Sequence, residues 1–221
     1  MFFKTVIAAF VSSFAISAMA WADTPDFSSN ATETPASTNF ATQPKKLRWI
    51  MDLGYMVGGE KLVDVHLYND LFDTSSTQDI RAGQGFWFMG GVELPVNPNW
   101  AVQARLGYLF DSVEAKNASF SFDRYPVELL PLYTVNHIQF GLGLTYHLNP
   151  VFDPDLGLPK VSFKNAMGFV GEFNYAMSDR ARLGLHITQI DYRVKSVADG
   201  GTVLKDKVSG NGVGVHVTGA F

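Results

Sequence analysis

Four histidines and seven charged residues fall on the small, polar side of alternating segments, and they are this chain's candidates for chemistry. They are His137, His147, His186 and His216, with Arg48, Asp52, Glu93, Arg105, Glu128, Glu172 and Arg182. Imidazoles can ligate a metal, but these four lie on three separate segments without the short ligand spacing of a built site, so no metal is expected. A hydroxyl, an imidazole and an acid can together activate a nucleophile. His147 with Ser162, or His66 with Asp64 and Asp70, supply the residue types. Nothing in the spacing ties either histidine to a nucleophile, so no catalytic residue, no cofactor and no enzymatic activity are expected. Asp153-Pro-Asp155 offers oxygens to a cation, although acidic loops are usually just solvated. The remaining chemistry is pairing. A buried charge without a partner is strongly destabilising. If these side chains are enclosed, Arg48, Asp52, Glu93, Arg105, Glu128, Glu172 and Arg182 should therefore form a polar network filling a lumen. A gated pore or a ligand-lined lumen is the sharper alternative.

The elements that position them read as strands. In His137 to Leu148, the residues Ile138, Phe140, Leu142, Leu144, Tyr146 and Leu148 share one face. His137, Gln139, Gly141, Gly143, Thr145 and His147 share the other. Side chains switch faces at every residue of a strand, so this is one greasy face and one small, polar face. The same split recurs in Trp49 to Val57, Trp100 to Phe110, Met167 to Met177, Ala181 to Ile187 and Val213 to Phe221. Phe86 to Leu94 alternates less cleanly, because Trp87 and Met89 share the face of Glu93. Phe120 to Tyr133 is interrupted by Pro126 and Pro131, which predict a bulge or a register change. About eight strands result. Pro95 to Asn99, Thr134 to Asn136 and Ser178 to Arg180 are tight links; Gly58 to Arg81, Ser112 to Ala118, Asn149 to Lys164 and Ser196 to Ser209 are longer. Lys61 to Tyr68 alternates weakly, and would either extend the first strand or add a hairpin that raises the count to ten.

The greasy face is large and aromatic at nearly every strand, and the chain carries 18 Phe, 8 Tyr and 4 Trp. Charged residues make up only 17%, below the roughly one quarter of soluble domains. This inverts the arrangement of a soluble sandwich: bulky apolar residues face lipid and small polar ones face a narrow centre. A closed barrel also pairs every backbone N–H and C=O, as a hydrocarbon layer demands. The expected fold is therefore all-β, a closed antiparallel up-and-down transmembrane barrel over residues 47–221. Tight periplasmic turns alternating with longer external loops fit the same architecture.

The N-terminus agrees. Lys4, the apolar run from Val6 to Ala18, and the small residues of Ala18-Met-Ala-Trp-Ala22 predict a cleaved signal peptide over residues 1–22. Residues 23–46 are rich in Thr, Ser, Ala, Asn and Pro and predict a disordered periplasmic spacer. No cysteine is present, which excludes disulfides and thiolate sites. The net charge of −4 leaves no nucleic-acid footprint.

Two phrases, Gly141-Leu-Gly-Leu-Thr-Tyr-His-Leu-Asn-Pro150 and Trp100-Ala-Val-Gln-Ala-Arg-Leu-Gly-Tyr108, together with the strand pattern, resemble the small OmpA-like and OmpW-like porin-like outer-membrane barrels. Val213, Val215 and Val217 in phase with Phe221 resemble the terminal-strand insertion signal of such proteins. The resemblance implies the fold and an outer-membrane address, and it carries over no catalytic residue. Expected partners are outer-membrane lipids and lipopolysaccharide, with the barrel-assembly machinery during insertion; a monomer is expected. The expected role is structural or one of envelope interaction through the loops. A narrow channel for small or apolar solutes and a lipid-modifying enzyme are the rivals.

Overall fold

The computed structural model describes residues 46–69, 74–115, 118–154, 159–198 and 205–221. The proposed signal peptide and nearly all of the proposed spacer lie outside these residues. Among the described residues, twelve strands form in chain order: β1 (Arg48–Gly58), β2 (Lys61–Asn69), β3 (Thr74–Arg81), β4 (Gly85–Pro95), β5 (Trp100–Ala115), β6 (Ala118–Val135), β7 (Ile138–Pro154), β8 (Val161–Phe163), β9 (Ala166–Ala176), β10 (Ala181–Val197), β11 (Lys207–Ser209) and β12 (Gly212–Ala220).

Eight of them close a barrel. The ladder runs β1, β4, β5, β6, β7, β9, β10, β12 and returns to β1, every neighbour antiparallel. The β1–β12 seam extends past the last strand: Trp49 and Phe221 exchange backbone hydrogen bonds of 3.2 and 2.9 Å. Because the side-chain period is two, the register sends one alternate set inward on each strand. β10 shows it plainly, with Arg182, Gly184, His186 and Thr188 buried between exposed Leu183, Leu185 and Ile187.

The barrel strands match the expected eight, and the structure corrects their ends. Ser112 to Ala118 is not a long loop, since β5 and β6 stay paired to Ala115 and Ala118. Part of Asn149 to Lys164 is strand, as β7 continues to Pro154 and β8 joins it. β10 runs ten residues past Ile187, and β11 pairs with its end. These stretches carry polar outward residues, so the greasy alternation stops where the strand does not. β2 and β3 pair only with each other in the sheet order, a separate hairpin that leaves the barrel at eight strands.

β6 is continuous over 18 residues despite its two prolines. The expected irregularity falls on its neighbour. Two residues of β7, Asn149 and Pro150, lie where β6 offers the single Arg124, and Asn149 takes a positive φ of 45°. Asparagine tolerates this left-handed conformation better than most residues, and the bulge re-aims the strand above it.

Trp87 and Met89, ambiguous in the sequence, point inward and are buried. Glycines on β1 and β12 leave room for the Trp87 indole. A Cβ on Gly54 would run into the Trp87 ring, and one on Gly214 would come within 2.7 Å of it. Both inner-face glycines therefore shape the slot that holds the indole. Gly54→Val should overpack that slot and destabilise the barrel by about 1–3 kcal/mol. A lowered urea midpoint for the refolded variant, with altered tryptophan fluorescence, is the expected reading; an unchanged midpoint would show that the slot has slack.

Candidate functional site

The candidate site is the barrel interior, which is filled in levels along the axis. At the turn side, Arg182 grips both oxygens of Glu93 at 2.5 and 2.9 Å, a bidentate pair. Gln103 donates to the same carboxylate at 2.7 Å, and Arg48 reaches it from the mouth. Gln139 accepts from Arg182 at 3.2 Å. A recess of about 390 Å³ opens at this mouth, and Glu93 and Arg182 are among its lining residues.

The middle level centres on Arg105. Its guanidinium bonds Glu128 at 2.5 Å, also bonds Glu172, and lies 3.5 Å from Asp52. Four strands thus meet at one cation: β5 supplies it, and β1, β6 and β9 supply the acids. Asp52 also accepts from the Trp87 indole, from Thr218 at 2.7 Å, and meets His216 Nδ1 at 2.5 Å. His186 lies 3.1 Å from Glu172 through Nδ1 and 3.0 Å from Thr188 Oγ1 through Nε2. Three carboxylates face one guanidinium, and two imidazoles lie against two of those carboxylates.

Above this, Arg124 bonds the carbonyls of Ala82 and Gln84 and sits 4.3 Å over the Phe122 ring. His147 Nδ1 meets the Tyr192 hydroxyl at 2.6 Å. The loop-side end is then packed by an apolar cluster that includes Ile80, Phe120, Phe122, Phe163, Ile190 and Tyr192.

Of the eleven proposed inward residues, nine are buried in the interior and two, Arg48 and His137, stand at its mouth. Arg48 is half-exposed at the rim, where it pairs with Glu93. His137 borders the recess at that mouth without entering the lumen. It is exposed in the β6–β7 turn, because the strand begins one residue later, at Ile138. Arg124 and Tyr192 are interior residues that the sequence reasoning missed, whereas Trp87 lay on the face already given to Glu93. Phase along the proline-broken segment would have placed Arg124 with Glu128.

The candidate chemistries resolve individually. His147 is paired with Tyr192 rather than Ser162. The side chains of Asp64 and His66, with Asp70 and Asp155, lie outside the described residues. Asp153 pairs with Lys160 at 2.5 Å. Thr188, His186 and Glu172 do form a hydroxyl–imidazole–carboxylate chain, but all three are buried and Glu172 also binds Arg105. Glu128, Glu172 and His186 bring donor atoms within 4.8 Å of one another, a metal-like spacing. The Arg105 guanidinium already bonds both carboxylates and holds the place a cation would take.

The outer face is the reverse of this interior. Met51, Phe88, Leu106, Leu129, Leu142, Phe169, Leu185 and Val215, one from each barrel strand, are all exposed, Leu142 to 71%. Soluble monomers rarely expose an apolar patch beyond a few hundred Å², and this one circles the molecule. Trp49, Trp100, Tyr133 and Tyr175 border it at the turn side, and Tyr55, Tyr108, Tyr125 and Tyr146 at the loop side, as aromatic girdles border a lipid-facing band. The chain is a transmembrane β-barrel.

The barrel's backbone is similar to several solved structures. OprG of Pseudomonas aeruginosa matches at 18% identity, over 80% of this chain and 97% of that one, with a TM-score of 0.47. Ail of Yersinia pestis matches at 13% over 78% and 97%, with a TM-score of 0.45. Neisserial surface protein A matches at 13% over 79% and 97%, with a TM-score of 0.43. No family model and no curated protein matches the sequence.

Proposed function

We propose that this outer-membrane barrel is not an enzyme and does not conduct, and that its role is carried by its loop end in contact with the envelope. The observation that supports this is Arg105, whose guanidinium is held mid-lumen by carboxylates from three other strands. An eight-stranded barrel is only wide enough for its own side chains, so such a network braces the wall instead of lining a passage. The histidines are likewise committed to neighbours: His147 to Tyr192, His186 to Glu172 and Thr188, His216 to Asp52. The barrel-assembly machinery would read the outward Val213, Val215 and Val217 with Phe221 during insertion. The protein would stand as a monomer among outer-membrane lipids and lipopolysaccharide.

Planar-bilayer recording tests the closed lumen. The refolded protein should give no discrete conductance steps across the voltage range in which the bilayer itself is stable. Reproducible steps that change in size with Glu172→Gln would replace this reading with a narrow channel. Mass spectrometry of lipid A from expressing cells tests the absence of lipid chemistry; a new or missing acyl or phosphate group would overturn it.

A further inference from the structure

At the loop-side rim the outer surface divides into two unlike arcs. Over β1, β4, β5 and β6 the rim is aromatic. Tyr55, Phe86, Phe110, Tyr108 and Tyr125 follow one another with ring centroids between 4.4 and 6.2 Å apart. The acid on this arc, Asp123, accepts hydrogen bonds from Tyr108 and from Ser121.

Over β8, β10 and β11 the rim is basic. The last apolar outward residue of β10 is Ile187, and exposed Gln189, Asp191, Arg193 and Lys195 follow on the same face. Arg193 is the direct cross-strand partner of Lys207 on β11. The Lys164 backbone N–H bonds the Arg193 carbonyl at 2.8 Å, which brings a third cation beside them. Lys207 leans to Asp191 at 2.8 Å. Lys164, Arg193 and Lys195 have no ion pair among the described residues. Like charges directly opposite one another destabilise a strand pair, so folding alone does not favour Arg193 across from Lys207.

We propose that this arc binds the phosphate groups of an outer-leaflet glycolipid of the lipid A type, whose acyl chains lie on Met167, Leu185 and Ile187 directly below. The inference rests on the outer-membrane reading given above. The levels agree: at about 3.3 Å per residue and a tilt near 45°, Lys164 stands roughly 7 Å above Met167, and Arg193 roughly 14 Å above Ile187. Lysine and arginine stems let the charged heads reach down from there toward the headgroup layer. A guanidinium takes a phosphate through two parallel hydrogen bonds, and the neighbouring ammonium groups add charge without competing for geometry. Several cations gathered in one arc favour a lipid with more than one phosphate over a phospholipid with one. Asp123 makes the aromatic arc a poor site for the same groups.

The test uses the mature protein in detergent, with native mass spectrometry reading retained lipid. Bisphosphorylated lipid A should be retained roughly tenfold or more better than monophosphorylated lipid A, since each cation near an anionic lipid surface adds about a factor of five. The exposed triple variant Lys164→Gln, Arg193→Gln, Lys195→Gln should lose that preference. Turn-side Lys46→Gln with Arg180→Gln should keep it, and excess inorganic phosphate should not displace the lipid. Equal retention of both lipids by the wild type, an unaffected triple variant, or an equal loss in the turn-side variant overturns the proposal. Flotation with neutral phosphatidylcholine vesicles separates this failure from a deeper one. If the proteins float but show no phosphate preference, only the proposed arc is wrong. If the wild type does not float, the membrane reading itself is wrong, and the proposal falls with it.

Discussion

Arg105→Ala will lower the unfolding free energy of the refolded barrel by about 3–5 kcal/mol, because it strands buried carboxylates without their cation. Asp52, Glu128 and Glu172 all turn toward this guanidinium, and each is nearly inaccessible to solvent. The penalty is the stranded charge and not the lost attraction alone. Adding Glu128→Gln and Glu172→Gln to the Arg105→Ala variant should therefore recover part of the loss. Urea titration in lipid vesicles, read by tryptophan fluorescence, measures both. A loss below about 1 kcal/mol for the single variant would mean that water reaches the network, since only solvated pairs are worth so little. That result would also weaken the case for a closed lumen.

On the other side of the wall, Leu142→Arg should cost about 2–4 kcal/mol, the range for a cation at the bilayer midplane of such a barrel. Leu142 is central among the outward residues of β7, between Phe140 and Leu144, and nothing of the protein covers it. Gln189→Arg, at the loop-side edge of the apolar band on β10, should cost about 0–1 kcal/mol on the same scale. The contrast between the two positions is the decisive quantity, because both residues are exposed. In water, each substitution would be nearly neutral, as surface changes usually are. Equal, small effects at both positions would remove the lipid from the account. A large effect only at Leu142 places the middle of the band in hydrocarbon.

The two experiments probe one wall from its two faces, and the sequence separated those faces well. Period-two alternation is local. It placed Leu183, Leu185 and Ile187 outward and Arg182, His186 and Thr188 inward with no knowledge of any other strand. It was less informative where an inward residue resembles an outward one. Trp87 is in phase with Glu93 but has the bulk of a lipid-facing aromatic, and Gly54 on β1 and Gly214 on β12 leave the room its inward position needs. It also stopped short where strands leave the membrane. Beyond Ile187 the outward positions of β10 become Gln189, Asp191, Arg193 and Lys195, so the apolar signal ends while hydrogen bonding continues.

The sequence by itself determined the closed all-β class, the inside-out polarity, and most of the charged residues that enter the lumen. It could do so because strand geometry makes the facing of a side chain a property of its immediate neighbours. Only the tertiary structure decided which of those charges meet. Arg105 on β5 joins Asp52 on β1 and Glu172 on β9, and neither strand is its ladder neighbour. Contacts across the lumen depend on how the sheet closes and staggers, a global quantity that no local pattern encodes. Strand pairing beyond the barrel, and not its closure, set Arg193 beside Lys207 and Lys164 on one rim.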